Sequence, residues 1–125
     1  MRYIRHNLSN VSPYTAIEPT DFALATSADD GGNTVIALAG ELDLYRAPAL
    51  EDAFQGVAGP VVLDLQEVSL LDSTTLALLV HEYRRRRAAG HDLTVLVGPQ
   101  TPTTVFVVTG IDRILAIRSA EPLAA

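Results

Sequence analysis

The chain has 125 residues, a formal net charge of −6, 48% hydrophobic and 19% charged residues, and no cysteine. That length fits one domain able to bury a core of its own, and the lack of cysteine excludes disulfides and thiol chemistry and fits a reducing cytoplasm. The acidic balance argues against a nucleic-acid binder, which needs a basic face, and no apolar run approaches the ~20 residues of a membrane helix.

Residues 1–20 show no hydrophobic period and contain Pro13 and Pro19, so they read as an N-terminal extension, loosely ordered or docked on the domain edge. Met1–His6 carries charge without the apolar stretch of a secretory signal. The extension is left with three roles open: pairing with the sheet edge, mediating a homodimer, or none.

The domain itself is expected over residues 21–118, with 119–125 as a tail. Asp21–Ser27 and Thr34–Ala39 read as strands joined by a glycine-containing turn. Gly40-Glu41-Leu42-Asp43 leads out of the second strand into a loop. From Arg46 to Val57 the apolar residues Ala47, Leu50, Phe54 and Val57 form a helical stripe, stopped by Gly59-Pro60. Val61–Leu65 is a short β-branched strand, after which a loop is expected.

Asp72-Ser73-Thr74-Thr75 then opens the longest helix, Ser73–Ala89, with Leu76, Leu79, Val80 and Tyr83 on one face and Gly90 beyond its end. Leu93–Val97 is another strand, Pro102–Thr109 a helix, and Ile114–Ile117 a final short strand. The order β-β-α-β-α-β-α-β predicts an α/β domain. Its sheet is mixed and mostly parallel, of four to five strands, with helices mainly on one face.

The hydroxyl cluster at the start of the long helix is the most informative feature. One reading is an N-cap, worth ~1 kcal/mol. The other is a surface hydroxyl reachable by a kinase, where phosphate suits the helix dipole and acts on a docked partner. Glu41 and Asp43 read as a solvated acidic turn or as contacts for a partner's cations. Arg84–Arg87 reads as cations favoured by the helix C-terminus. His6, His81 and His91 lack metal-ligand spacing, and no P-loop, dinucleotide fingerprint or nucleophile elbow is present, so neither metal, cofactor nor enzymatic activity is expected.

Between Thr34 and Arg118 four segments bear a family likeness: Ala39-Gly-Glu-Leu-Asp-Leu44, Val61–Ser69, Leu71-Asp-Ser-Thr-Thr-Leu76 and Thr109-Gly-Ile-Asp-Arg-Ile114. In that order they resemble the STAS domain, in particular the bacterial anti-sigma-factor antagonists. The resemblance implies a cytoplasmic switch protein that regulates transcription indirectly. Unphosphorylated, it binds an anti-sigma factor that is also a serine kinase; phosphorylation releases it and a phosphatase restores it. By position Ser73 would be the acceptor, with Thr74 and Thr75 as alternatives. Glu41, Asp43, Asp72, Ser73, Thr74 and Thr75 would form the partner-binding surface, and ATP would belong to the kinase. Thr75 departs from the family's glycine, and its β-branched side chain is expected to crowd a kinase there. The rival readings are a STAS scaffold, or a subunit of a stress-signalling or lipid-transport complex, without phospho-switching.

Overall fold

The computed structural model describes residues 22–120. Five strands, β1 (Ala23–Ala28), β2 (Thr34–Leu42), β3 (Val61–Leu71), β4 (Leu93–Val97) and β5 (Ala116–Ser119), form one sheet in the order β1-β2-β3-β4-β5. β1 pairs antiparallel to β2, and every later pair is parallel. The crossovers are α1 (Ala47–Gln55), α2 (Ser73–Ala88) and α3 (Thr104–Thr109), the last followed by a single 3-10 turn, Ile111–Arg113. Parallel crossovers are right-handed, and each of these steps one strand in the same direction, so all three helices fall on one face.

The core shows that face directly. Ile36, Leu38 and Leu42 of β2, Leu63 and Leu65 of β3, and Val95 and Val97 of β4 pack with Leu50 and Phe54 of α1, Leu76 and Leu79 of α2, and Phe106 of α3. The alternate residues Val35, Val62 and Leu96 form a separate cluster on the opposite face. Asp21, the expected start of the first strand, and the extension 1–20 lie outside the described residues.

The largest departure from the sequence reading is β3. A loop is expected after Leu65, yet the strand continues to Leu71. Two bulges carry it. Leu65 and Gln66 stand against Leu38 alone, and Ser69 is an extra residue between the pairs Gly40↔Val68 and Glu41↔Leu70. Beside the second bulge, on the facing strand, Gly40 takes φ +96°, a backbone that L side chains rarely adopt. Smaller shifts occur at helix ends: α3 begins at Thr104 rather than Pro102, and the final strand lies at Ala116–Ser119 rather than Ile114–Ile117.

The Arg84–Arg87 run also divides. Arg84, Arg85 and Arg87 are exposed, but Arg86 is 4% exposed and belongs to the interior. Its Nε donates to Glu82 Oε2 at 2.6 Å, Nη1 to the Gly59 carbonyl at 2.5 Å, and Nη2 to the Phe54 and Val57 carbonyls at 2.7 and 2.8 Å. A helix ends with unsatisfied carbonyls, and α1 has no basic residue in its own last turn. Arg86 supplies the missing donors from a neighbouring helix. Glu82 also accepts from Arg85, and that hydrogen bond, followed by charge attraction, raises the Arg85 guanidinium above its ordinary pKa.

Candidate functional site

The carboxyl ends of β2, β3 and β4 meet at one edge of the sheet, where parallel α/β folds commonly carry their sites. β2 leaves through Asp43–Arg46, β3 runs directly into α2, and β4 leaves through Gly98–Thr103. Thr101 fastens the last of these: its Oγ1 donates to the Leu65 carbonyl at 2.7 Å and accepts from Gly98 N–H at 3.0 Å.

The β3–α2 junction is built by capping. Asp72 is the N-cap of α2 in an extended conformation (φ −103°, ψ 176°), and its carboxylate accepts from Thr75 N–H at 2.9 Å. The Leu42 carbonyl at the end of β2 receives two donors from this junction, Asp72 N–H at 3.4 Å and Thr75 Oγ1 at 3.0 Å. Leu42↔Leu71 is the last strand pair. The residues that follow, Asp43–Tyr45 on one side and Ser73–Thr74 on the other, therefore leave the sheet side by side, about one strand spacing (~4.8 Å) apart at their roots.

Three hydroxyls at this junction have different environments. Ser73 and Thr74, the first two residues of α2, are exposed. Thr75 is 0% exposed, with its hydroxyl given to Leu42. This corrects the expectation for Thr75, which presents neither a surface hydroxyl nor a branched side chain to a visitor. It packs inward and ties α2 to β2. Thr75→Val is expected to leave the Leu42 carbonyl short of a donor and lower the unfolding free energy by ~1–3 kcal/mol, while Thr75→Ser retains most of the stability. Urea unfolding of both variants checks this, and equal losses in the two would refute the hydroxyl's role.

Asp43 is occupied within its own turn. Its carboxylate accepts from Tyr45 N–H at 3.1 Å, Arg46 N–H at 3.2 Å and Arg46 Nη1 at 3.1 Å. The N-cap residue of α1, Arg46, makes no side-chain cap, and Asp43 does that work from upstream. Glu41 pairs with Leu70 across the sheet and is half-buried. The sequence reading thus placed Glu41, Asp43, Asp72, Ser73 and Thr74 around one edge, with Asp43 and Asp72 engaged in local hydrogen bonds.

The residues it missed are apolar. Leu44 is 52% exposed, Tyr45 80% and Leu70 39%. All three flank the ends of β2 and β3, beside the polar residues of the same edge. The available signal was Leu44-Tyr45 directly after the acidic loop, where a solvated turn would carry polar residues. Among the described residues, no group of three His, Asp or Glu side chains is placed to hold a metal, and no helix is long and apolar enough to cross a membrane.

The fold and edge define a class: an α/β domain with an exposed serine, carboxylates and bare apolar side chains gathered at the carboxyl ends of its parallel strands. Comparison with known proteins gives the family. Residues 25–117 match the family described as "Mlab, STAS domain". The anti-sigma-B factor antagonists of Listeria monocytogenes and Listeria innocua are each 33% identical over 90 residues, covering 69% of this chain and 79% of theirs. The crystal structure of an anti-sigma factor antagonist from Mycobacterium paratuberculosis superposes with a TM-score of 0.70 at 26% identity, over 80% of this chain and 87% of that one. The unphosphorylated form of the anti-sigma factor antagonist SpoIIAA shares the fold, with a TM-score of 0.62 at 22% identity, over 77% of this chain and 88% of its own. The chain belongs to the STAS family, among the anti-sigma-factor antagonists.

Proposed function

We infer that this chain binds an anti-sigma factor through the edge formed by Glu41–Tyr45, Leu70 and Asp72–Thr74, and that phosphorylation of Ser73 ends the binding. The observation that carries this reading is Ser73 itself, exposed as the first residue of α2 beside Asp43–Tyr45. The partner is an anti-sigma factor with serine-kinase activity. It transfers the γ-phosphoryl group of its own ATP to the Ser73 oxygen; the hydroxyl proton leaves to a base of the partner, and ADP departs. A phosphatase hydrolyses the ester. This chain acts as substrate and ligand, supplies no cofactor and performs no catalysis of its own.

The physics of the switch is local. Phosphate adds about −1.5 to −2 charges at the N-terminus of α2, where the helix dipole tolerates them. The helix therefore stays formed. The added charge falls on a surface already carrying Asp43 and Asp72, and a partner face shaped for bare Leu44 and Tyr45 would have to desolvate it. Ser73 is favoured over Thr74 because it directly follows the Asp72 cap, the position at which the family resemblance puts the acceptor.

Ser73→Asp is expected to leave the fold intact and to reduce recovery of the anti-sigma factor in a pull-down from native lysate run beside wild type, with mass spectrometry of captured proteins and of phosphate on the bait. Equal recovery on both baits, with no phosphate at Ser73 or Thr74, would sink the switch and leave a STAS scaffold.

A further inference from the structure

Two buried threonines, Thr75 at 0% and Thr101 at 5% exposed, stand at the carboxyl edge of the sheet. Each gives its hydroxyl to a backbone carbonyl of the neighbouring strand, Thr75 to Leu42 of β2 at 3.0 Å and Thr101 to Leu65 of β3 at 2.7 Å. Thr75 follows β3 and Thr101 follows β4, so each hydroxyl crosses from the exit of one strand to the strand beside it.

What Thr75 holds is the root of the Asp43–Tyr45 loop. The Leu42 carbonyl and the Asp43 N–H belong to one planar peptide unit, so fixing the direction of that carbonyl fixes the plane from which the loop departs. Beyond that plane the loop is tied to itself. The Asp43 carboxylate accepts from Tyr45 N–H and from Arg46 N–H and Nη1, and the Asp43 carbonyl accepts from Arg46 N–H at 3.0 Å and Ala47 N–H at 2.9 Å. A loop closed on itself in this way swings as a unit about the Leu42–Asp43 link. The other donor from the junction to Leu42, Asp72 N–H, stands at 3.4 Å, beyond the usual range of a good hydrogen bond. Thr75 cannot follow a swing, because its own N–H is held by the Asp72 cap at 2.9 Å and its side chain is buried. Ser73 and Thr74 share its helical turn.

We propose that Thr75 is a positioning residue for the partner-binding edge: its buried hydroxyl fixes the Asp43–Tyr45 loop against the first turn of α2, so that Tyr45 and Ser73 meet a partner as one preset surface. The proposal rests on the reading that this edge binds the anti-sigma factor. A loop held in place before contact spares the complex the ordering cost that a swinging loop imposes. Thr75 touches no partner itself, being fully buried, and acts through the Leu42 carbonyl.

The test uses the full chain, isotope-labelled and weakly aligned, so that residual dipolar couplings report the orientation of each N–H. In wild type the Leu44 and Tyr45 couplings are expected to fit the same alignment frame as those of α2. In Thr75→Val they shrink as the loop swings, and Thr75→Ser restores them. Thr101→Val is the control, since it removes an equivalent buried hydroxyl without touching Leu42, and it leaves both couplings at their wild-type values. Titration calorimetry follows with the anti-sigma factor captured by the wild-type bait. Thr75→Val is expected to raise Kd about 5- to 10-fold, the worth of one hydrogen bond, while Thr75→Ser and Thr101→Val bind as wild type does. Unchanged couplings in Thr75→Val, or shrinkage shared by Thr101→Val, would overturn the proposal and reduce Thr75 to a contact of the fold. Loosened couplings with a wild-type Kd would overturn it as well, by showing that the partner is indifferent to the placement of the loop. Failure of wild type to capture any anti-sigma factor would defeat the edge reading itself, with the couplings still deciding for or against Thr75 as the anchor of the loop.

Discussion

Arg86→Ala is expected to lower the unfolding free energy by about 3–5 kcal/mol, the cost typical of removing one partner from a buried ion pair. The guanidinium is 4% exposed and holds Glu82 together with the carbonyls of Phe54, Val57 and Gly59. It also lies 5.7 Å from the centroid of the Phe54 ring, at the centre of the contact between α1 and α2. Truncation takes the Arg86 donor from the Val57 and Gly59 carbonyls, leaves the Phe54 carbonyl with Val57 N–H at 3.2 Å, and leaves the Glu82 carboxylate, itself 5% exposed, with Arg85, whose side chain is 52% exposed. Such a loss is a large part of the ~5–15 kcal/mol that holds a domain folded. Lysine does not rescue it, because an ammonium cannot present a planar fork to a carboxylate and several carbonyls at once. Arg87→Ala is the control. Arg87 is 59% exposed and stands 3.6 Å from an exposed Asp92, an arrangement worth ~0–1 kcal/mol. Urea unfolding at constant m-value separates the two; equal losses for Arg86→Ala and Arg87→Ala would refute the clamp.

The second large effect is on binding. Tyr45→Ala is expected to weaken the complex with the anti-sigma factor by about 2 kcal/mol or more, roughly 30-fold in Kd, with little change in unfolding free energy. Tyr45 is 80% exposed and so contributes little to the folded core, while its backbone N–H is held by the Asp43 carboxylate beside exposed Leu44. Tyrosine buries a large rigid area with few rotamers to freeze, which makes it a frequent anchor in interfaces. Val108→Ala supplies the comparison, since Val108 is 78% exposed on α3, away from the Asp43–Tyr45 loop. Titration calorimetry with the captured anti-sigma factor should show loss for Tyr45→Ala and none for Val108→Ala. Unchanged affinity for Tyr45→Ala would remove the loop from the interface.

Much of the fold was legible because most of it obeys one period at a time. Val61–Leu63 and Leu93–Val97 are compact apolar strands, and the Asp72 cap announces α2. The second half of β3 was hidden by its bulges. Leu65 and Val68 both face the core, three positions apart, so strict alternation ends there although the strand does not. Arg86 was hidden for a different reason. Within four consecutive arginines nothing local separates the buried one from its neighbours; only the arrival of the α1 terminus beside it does. Thr75 was misread because a hydroxyl in the first turn of a helix is ordinarily a surface group, and its acceptor lies 33 residues away in the sequence. At this edge the polar residues were singled out by their types and by the order of the segments that resemble the STAS family. The apolar ones escaped because an exposed leucine or tyrosine has no sequence mark apart from its setting.

The strand order β1-β2-β3-β4-β5 carries a consequence for biosynthesis. Each strand pairs with the one made just before it, and none is inserted between two already joined. A chain leaving the ribosome can lay down the hairpin first and then extend the sheet at its growing edge, one strand and one helix at a time. No earlier pair has to open to admit a later arrival, and the closing contact of each step spans a single crossover, which keeps its entropy cost low. The same order leaves β4 as a bare edge until β5 is released, and the short Ala116–Ser119 strand is what finally covers it.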